Sequence, residues 1–153
     1  MEEHVSLTAN TTIARRVFEE GLNRRDASAF EELVAADYVN HEAGDMLLEA
    51  VGPKDWSEVA ARLSASFPDV SWEVLRTLAQ DDHVWVETRM SGTHEHAFFG
   101  IAPTGRRFAV RQVHMLRLAD GQIREHCAVR DDLGVLTQIG AVEPATPSRA
   151  TAR

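Results

Sequence analysis

The spacing of apolar residues changes once along the chain, near Pro68. Before this proline, apolar side chains recur every three or four residues, as in an amphipathic helix, and after it they alternate with polar ones, as in a strand. Helices followed by antiparallel strands indicate an α+β fold, in which a curved sheet closed by helices on one face leaves a conical pocket. The chain has 153 residues, which is enough for one such domain.

Three helices are predicted in the first half. The first spans residues 8–24, where the apolar side chains form one stripe. Asp26 can cap a second, short helix that ends before Tyr38, and Gly52-Pro53 opens the third, because proline suits the first helical position. Pro68 ends the third helix.

Four strands are predicted in the second half, and a short helix at residues 133–139 follows them. The strands lie around residues 70–74, 84–91, 107–118 and 122–130, with a loop at 93–106. Alternation in the second strand puts Val84, Val86, Thr88 and Met90 on one face and Trp85 on the other.

The hairpin at Asp120-Gly121 permits two pairing registers. A two-residue turn sets His114 opposite Cys127, whereas a three-residue loop with a bulge sets it opposite His126. We favour the bulged loop, because it turns the odd-numbered residues 123–129 together to one side.

In the favoured register, His114 has a second histidine, His126, across from it on a mostly apolar strand face, which also carries Gln112. A neutral imidazole in an apolar pocket can donate a hydrogen bond to a ligand carbonyl and polarise it. The alternative is a core histidine that bonds to a backbone carbonyl.

Other candidates lie outside this strand pair. Asn40 and His41 follow the second helix and are predicted to contact a substrate, with a turn and a surface histidine as the alternative. Asp131 is a candidate general base, or the cap of the last helix. Aromatic side chains predicted to shape a pocket are Phe18, Tyr38, Trp56, Phe67, Trp85 and Phe98.

A metal site is not expected. His94-Glu95-His96 has a metal-binding spacing, but no acid follows at a suitable distance. The remaining route to a metal is convergence of His94 and His96 with the two strand histidines. Cys127 is the single cysteine, so neither an intrachain disulfide nor a multi-thiolate zinc site can form.

Charge and composition limit the partners. The net charge is −8, which argues against nucleic acid or an anionic membrane, because both select a basic surface. No apolar run reaches the roughly 18 residues of a membrane span, and the first residues lack the pattern of a signal peptide, so we expect a cytoplasmic protein. Residues 1–7 and 142–153 carry few apolar side chains and are predicted to be flexible, which leaves one domain at 8–141.

A series of short motifs resembles the SnoaL-like polyketide cyclase family of the NTF2-like superfamily over roughly residues 12–140. The motifs are Phe18 and Asn23, residues 37–40, 52–54, 67–69, 100–108, 112–117 and 120–126, Asp131, and residues 136–140. The resemblance implies a cone-shaped α+β barrel that is dimeric or tetrameric, with an apolar pocket and no metal or organic cofactor. It also implies intramolecular aldol cyclisation of an aromatic polyketide ester.

In that family an aspartate on the last strand removes a carbon-bound proton, and a histidine on the preceding strand binds the carbonyl or enolate oxygen. His114 matches the histidine, but Ala128 occupies the position of the aspartate. Since alanine cannot carry a proton, three possibilities stay open. The base has moved to His126, Asp131 or His41; the reaction is another of the family, such as hydroxylation or isomerisation; or the pocket only binds a ligand.

We therefore predict an enzyme that acts on a small, hydrophobic, carbonyl-bearing and polyketide-like substrate. We predict that His114 polarises the carbonyl or stabilises the enolate oxygen, and that His126 or Asp131 transfers the proton. Asn40, His41 and Gln112 are expected to bind and orient the substrate.

Overall fold

The computed structural model describes residues 2–41 and 52–143, with side chains from residue 7 onward. Four helices and five strands are present, together with one π-helical segment. In chain order they are α1 (Glu2–Arg16), the π-helical segment (Val17–Leu22), α2 (Ala27–Leu33), β1 (Val34–Asn40), α3 (Pro53–Ser66), β2 (Ser71–Gln80), β3 (His83–Thr93), β4 (Arg107–Ala119), β5 (Gln122–Arg130) and α4 (Asp132–Gln138).

The five strands form one curved sheet in the order β1-β5-β4-β3-β2. All neighbours pair antiparallel except β1, which runs parallel to β5. The predicted α+β class and the curved, mostly antiparallel sheet closed by helices are confirmed, and the strands end at open edges, β1 and β2. Helices cover the concave face of the sheet, and the apolar core lies between the two layers.

Strand β1 was not predicted. Its buried residues are Val34, Ala35 and Tyr38, a spacing that fits neither an alternating strand nor a helix face. The strand exists because its backbone pairs with β5, which is a long-range contact with no local signal.

The first helix differs from the prediction at both ends. It begins at Glu2 rather than residue 8, and from Val17 it widens into a π-helical segment, in which the N–H of Asn23 donates to the carbonyl of Phe18. Gly21 permits this course, because a Cβ there would lie 2.3 Å from the ring of Phe30. The widening buries the side chain of Phe18.

The predicted starts of α2 and α3 are confirmed. The Asp26 carboxylate accepts a hydrogen bond from the N–H of Ser28 at 3.0 Å and caps α2. Gly52, with φ of 72°, precedes Pro53 at the start of α3. Asn23 then ties the helical layer to the sheet, because its amide bonds both backbone groups of Trp72, at 2.7 and 2.8 Å.

The β4–β5 hairpin follows neither predicted register. Asp120 and Gly121 form a two-residue turn with positive φ at both positions, and an extra residue, Arg124, then shifts the pairing. As a result, His114 lies opposite Ala128. Because of the bulge, the alternation of side chains between the two faces of the sheet is shifted by one residue after Ile123.

Because of this shift, both Ile123 and His126 are buried. The expected common side for residues 123–129 is therefore wrong for Ile123. The predicted shared face of β4 and β5 is confirmed, since Gln112, His114 and Leu116 pair with Arg130, Ala128 and His126 respectively.

None of the described helices is long and apolar enough to cross a membrane. Of the predicted flexible tail at 142–153, residues 144–153 lie outside the described part of the chain.

Candidate active site

A cavity of about 240 Å³ lies between α3 and the concave face of the sheet. Most of its wall is apolar, with Trp56, Leu63, Trp72, Met90 and Phe98 among the lining residues. Its polar side chains come from five elements: β1, α3, β4, β5 and α4. They are Tyr38, Asn40, Asp55, Arg62, Gln112, His114, His126, Arg130 and Asp132.

A subset of these polar side chains forms a connected series on one wall. Asn40 Nδ2 donates to Asp55 Oδ2 at 2.9 Å, and Asn40 Oδ1 lies 3.4 Å from His126 Nδ1. His126 Nε2 lies 2.9 Å from His114 Nδ1, and His114 Nε2 lies 3.1 Å from Gln112 Oε1. We call Asp55, Asn40, His126, His114 and Gln112 the polar chain.

The indole of Trp72 fixes which nitrogen carries each proton. Its Nε1–H can only donate, and it lies 3.3 Å from Gln112 Oε1, so that oxygen accepts. His114 therefore donates from Nε2 to the same oxygen, and its Nδ1 accepts from Nε2–H of His126. This leaves His126 Nδ1 as an acceptor that faces Asn40.

Both histidines are held neutral. Burial is the main cause that lowers the pKa of His114 well below its usual value, and the neighbouring His126 and the positive charge of Arg130 act in the same direction. For His126, burial first, then Arg130 and His41, lower the pKa to about 3. The pair thus supplies N–H donors and lone pairs rather than cations.

Asp55 is the functional candidate that sequence reasoning missed. It is 1% exposed, and its Oδ1 is buried without a hydrogen-bond partner, as are Tyr38 Oη and Trp56 Nε1 on the same wall. Burial raises the pKa of its carboxyl, and the hydrogen bond from Asn40 opposes this rise.

A signal for Asp55 was present in the sequence. It stands four residues before Val59 and eight before Leu63, on the inward stripe of α3. However, acids in the first turn of a helix usually lie in solvent and favour the helix dipole, which concealed it.

The structure brings together seven of the predicted site residues in the cavity wall. They are Tyr38, Asn40, Trp56, Phe98, Gln112, His114 and His126. Two others lie behind the wall. The ring centroid of Phe18 is 4.8 Å from that of His114, and Phe67 packs on Phe98 at 4.8 Å, so these rings support the lining residues.

Three predicted site residues lie elsewhere. Trp85 is 50% exposed on the outer face of the sheet, because alternation in β3 points it away from the core. His41 is on the surface, where Nε2 pairs with Glu125 at 2.9 Å. Asp131 accepts from the N–H of Gly134 at 2.8 Å and caps α4, so the cap is its structural role. The expected pocket positions of these residues are wrong.

The histidines considered for a metal do not converge. His94 is buried against Phe67, and its Nδ1 lies 3.1 Å from Thr104 Oγ1, away from the cavity lining. Within residues 2–41 and 52–143, no three histidine, cysteine or acidic side chains are grouped to hold a metal ion.

A covered, mostly apolar cavity with a buried polar chain is typical of a small α+β protein that binds one small molecule. Comparison with known proteins gives the family. A model described as SnoaL-like polyketide cyclase matches residues 12–139, and the chain belongs to this family.

Two curated relatives carry specific names. The chain is 26% identical over 140 residues to aklanonic acid methyl ester cyclase DnrD from Streptomyces peucetius, which covers 90% of this chain and 95% of DnrD. It is 30% identical over 112 residues to nogalonic acid methyl ester cyclase from Streptomyces nogalater, and this alignment covers 72% of this chain and 82% of the relative. The crystal structure of IdmH from Streptomyces antibioticus, a candidate polyketide cyclase, superposes with a TM-score of 0.75 at 31% identity, over 86% of this chain and 98% of IdmH.

Proposed function

We propose that the protein is a cofactor-independent cyclase, which closes a ring in a hydrophobic polyketide ester by intramolecular aldol condensation. Family membership and two relatives named for methyl ester substrates support the reaction class. The observation that carries the proposal is a neutral His114, buried in an apolar cavity, whose Nε2–H meets Gln112 in the cavity wall.

In this reaction a base removes a proton from a carbon next to a carbonyl, and the electron pair of that C–H bond forms an enolate. The enolate carbon attacks a second carbonyl carbon of the same molecule, which makes the new C–C bond. The resulting alkoxide takes back one proton, so the product is an isomer of the substrate. In the proposal, His114 Nε2–H, which bonds to Gln112 Oε1 in the free protein, shares this hydrogen bond with the enolate oxygen.

The other lining residues have supporting roles in the proposal. Tyr38, Asn40 and Gln112 offer polar contacts that orient the ester. Trp56 and Phe98 provide flat apolar surface for an aromatic substrate, with Phe18 and Phe67 packed behind them. Apolar walls also exclude water, which strengthens the hydrogen bond to the enolate.

A direct assay tests the function. The protein is incubated with aklanonic acid methyl ester and, separately, with nogalonic acid methyl ester, and the mixtures are separated by chromatography and examined by NMR. We expect a cyclic product of unchanged mass from at least one ester, formed well above the rate without protein. Binding of both esters by calorimetry, without any ring closure, would instead identify a ligand-binding module.

We further propose a cytoplasmic homo-oligomer that associates through the outer face of the sheet. Support comes from an apolar row across β2 to β5, where Leu78 pairs with Trp85, Trp85 with Met115, and Met115 with Cys127. Leu78 is 68% and Trp85 50% exposed, which is unusual for large apolar side chains. The cytoplasm is supported by a single cysteine, which leaves no intrachain disulfide to form.

Sedimentation of the purified protein measures the association. We expect a dimer or tetramer, and a shift towards monomer in Trp85→Glu, because a charge in the middle of the row opposes its burial. Arg76→Glu, which changes charge on β2 without removing apolar surface, serves as the comparison. A monomeric wild-type protein contradicts the proposal.

A further inference from the structure

We infer that Asp55 is the general base of the ring closure, in place of the aspartate whose position on the last strand is Ala128 in this chain. The inference rests on the proposed function and adds the residue that removes the carbon-bound proton.

The first argument is position. Two carboxylates line the cavity among the described residues, Asp55 and Asp132. Asp132 is exposed and lies 3.4 Å from the Arg130 guanidinium. Asp55 lines the cavity as a buried carboxylate, and its Oδ1, also buried, has no hydrogen-bond partner, so this oxygen keeps a lone pair that no protein donor uses.

The second argument compares the groups that can accept a proton. Burial and Arg130 make both histidines weak bases, and one nitrogen of each already accepts or donates within the polar chain. Burial has the opposite effect on Asp55, where it raises the pKa of the carboxyl and so strengthens the carboxylate as a base. Glu58 adds to this rise, and Asn40 limits it.

The third argument concerns Asn40, which can serve Asp55 in both protonation states. When the Asp55 carboxylate is ionised, Asn40 Nδ2 donates to Asp55 Oδ2. The amide oxygen of Asn40 then faces the acceptor Nδ1 of His126 at a distance of 3.4 Å, which is long for a hydrogen bond. Once Asp55 carries a proton, a 180° rotation of the Asn40 amide lets the amide oxygen accept from the Asp55 carboxylic O–H. The amide Nδ2–H of Asn40 then donates to His126 Nδ1. Proton uptake by Asp55 thus completes the series of hydrogen bonds from Asp55 to His114.

The step balances without a further reactant. Asp55 takes the proton as the C–H bond breaks, and the electron pair stays on the substrate as the enolate. After the C–C bond forms, the alkoxide recovers a proton from the Asp55 carboxylic acid, which restores the carboxylate. No oxidation or reduction takes place.

Asp55→Asn tests the inference on aklanonic acid methyl ester, because it keeps the shape and an acceptor for Asn40 but cannot take a proton. We expect the ring-closure rate to fall by about 100- to 10,000-fold. Exchange of the acidic C–H in D₂O, followed by NMR, should fall in parallel. Glu73→Gln, an exposed carboxylate on β2 that pairs with Arg89 away from the cavity, is the matched control with near wild-type rate.

A second variant keeps the test independent of folding. Ala128 lies directly opposite His114 in the β4–β5 ladder, so Ala128→Asp places a carboxylate on the same face. Added to Asp55→Asn, it is expected to recover at least tenfold of the lost rate. If the wild-type protein is active and its Asp55→Asn form exchanges and cyclises at the same rate, the role of Asp55 as the base is wrong and the proposed function stands. If the wild-type protein neither exchanges the C–H nor cyclises the ester, both the proposed function and the role of Asp55 are wrong.

Discussion

Alanine in place of His114 is expected to lower kcat for ring closure by about 100- to 1,000-fold, with KM changed only a few-fold. The imidazole donates to an oxygen that gains charge on the way to the enolate, so its hydrogen bond is stronger in the transition state than in the bound substrate. An effect of this kind appears in kcat. Steady-state kinetics on aklanonic acid methyl ester measure both constants.

Loss of structure must be separated from loss of chemistry in this variant. Removing the imidazole leaves His126 Nε2–H without its acceptor and opens space beside Phe18, so a thermal melt accompanies the kinetics. His96→Ala, an exposed histidine in the loop before β4, is the comparison and should keep full activity. A His114→Ala protein with wild-type kcat would remove the proposed role of this residue.

Mild acid is expected to destabilise the fold through the histidine pair. The pKa of His126 is lowered from 6.5 to about 3 in the folded protein. Between these two pH values the unfolded chain therefore binds a proton at His126 and the folded chain does not. Stability from this residue is therefore complete above pH 6.5 and is lost as the pH falls towards 3. Between pH 7 and pH 5 the loss in free energy of unfolding is about 2 kcal/mol from His126, and His114 acts in the same direction.

Urea unfolding at pH 7, 6 and 5 measures this loss. The lowest pH is set at 5 because the carboxylates with lowered pKa values, such as Glu125, lose most of their stabilising effect at a still lower pH. Asp55 acts in the opposite direction, because its raised pKa lets the folded protein take up a proton first. His126→Gln should flatten the dependence, and His96→Gln should not; equal slopes in all three proteins would contradict the explanation.

Local signals in the sequence were sufficient for most elements. Proline at the start of α3, the Asp26 cap, and strict alternation along β3 and β4 depend only on neighbouring residues, and these elements match the structure closely. The exception is β1, which forms because β5 is available as a partner. Pairing between segments more than eighty residues apart has no local pattern to predict it.

The site was predictable in part for the same reason. The favoured register correctly put His114 and His126 on one face, but the bulge at Arg124 set their actual offset, and a bulge depends on both strands. Asp55 became visible as a site residue only when Asn40 on β1 and the sheet closed over it. Trp85 was assigned to the pocket by residue type, although its own strand pattern placed it outside.

The positions of the three tryptophans give the protein an optical use. Trp56 and Trp72 line the cavity, whereas Trp85 stands on the opposite side of the sheet. Emission from Trp85→Phe would therefore come only from the two indoles of the cavity wall, and its difference from wild-type emission isolates the outer indole. Ligand occupancy and the association proposed through the outer face can thus be followed as separate fluorescence signals without a label.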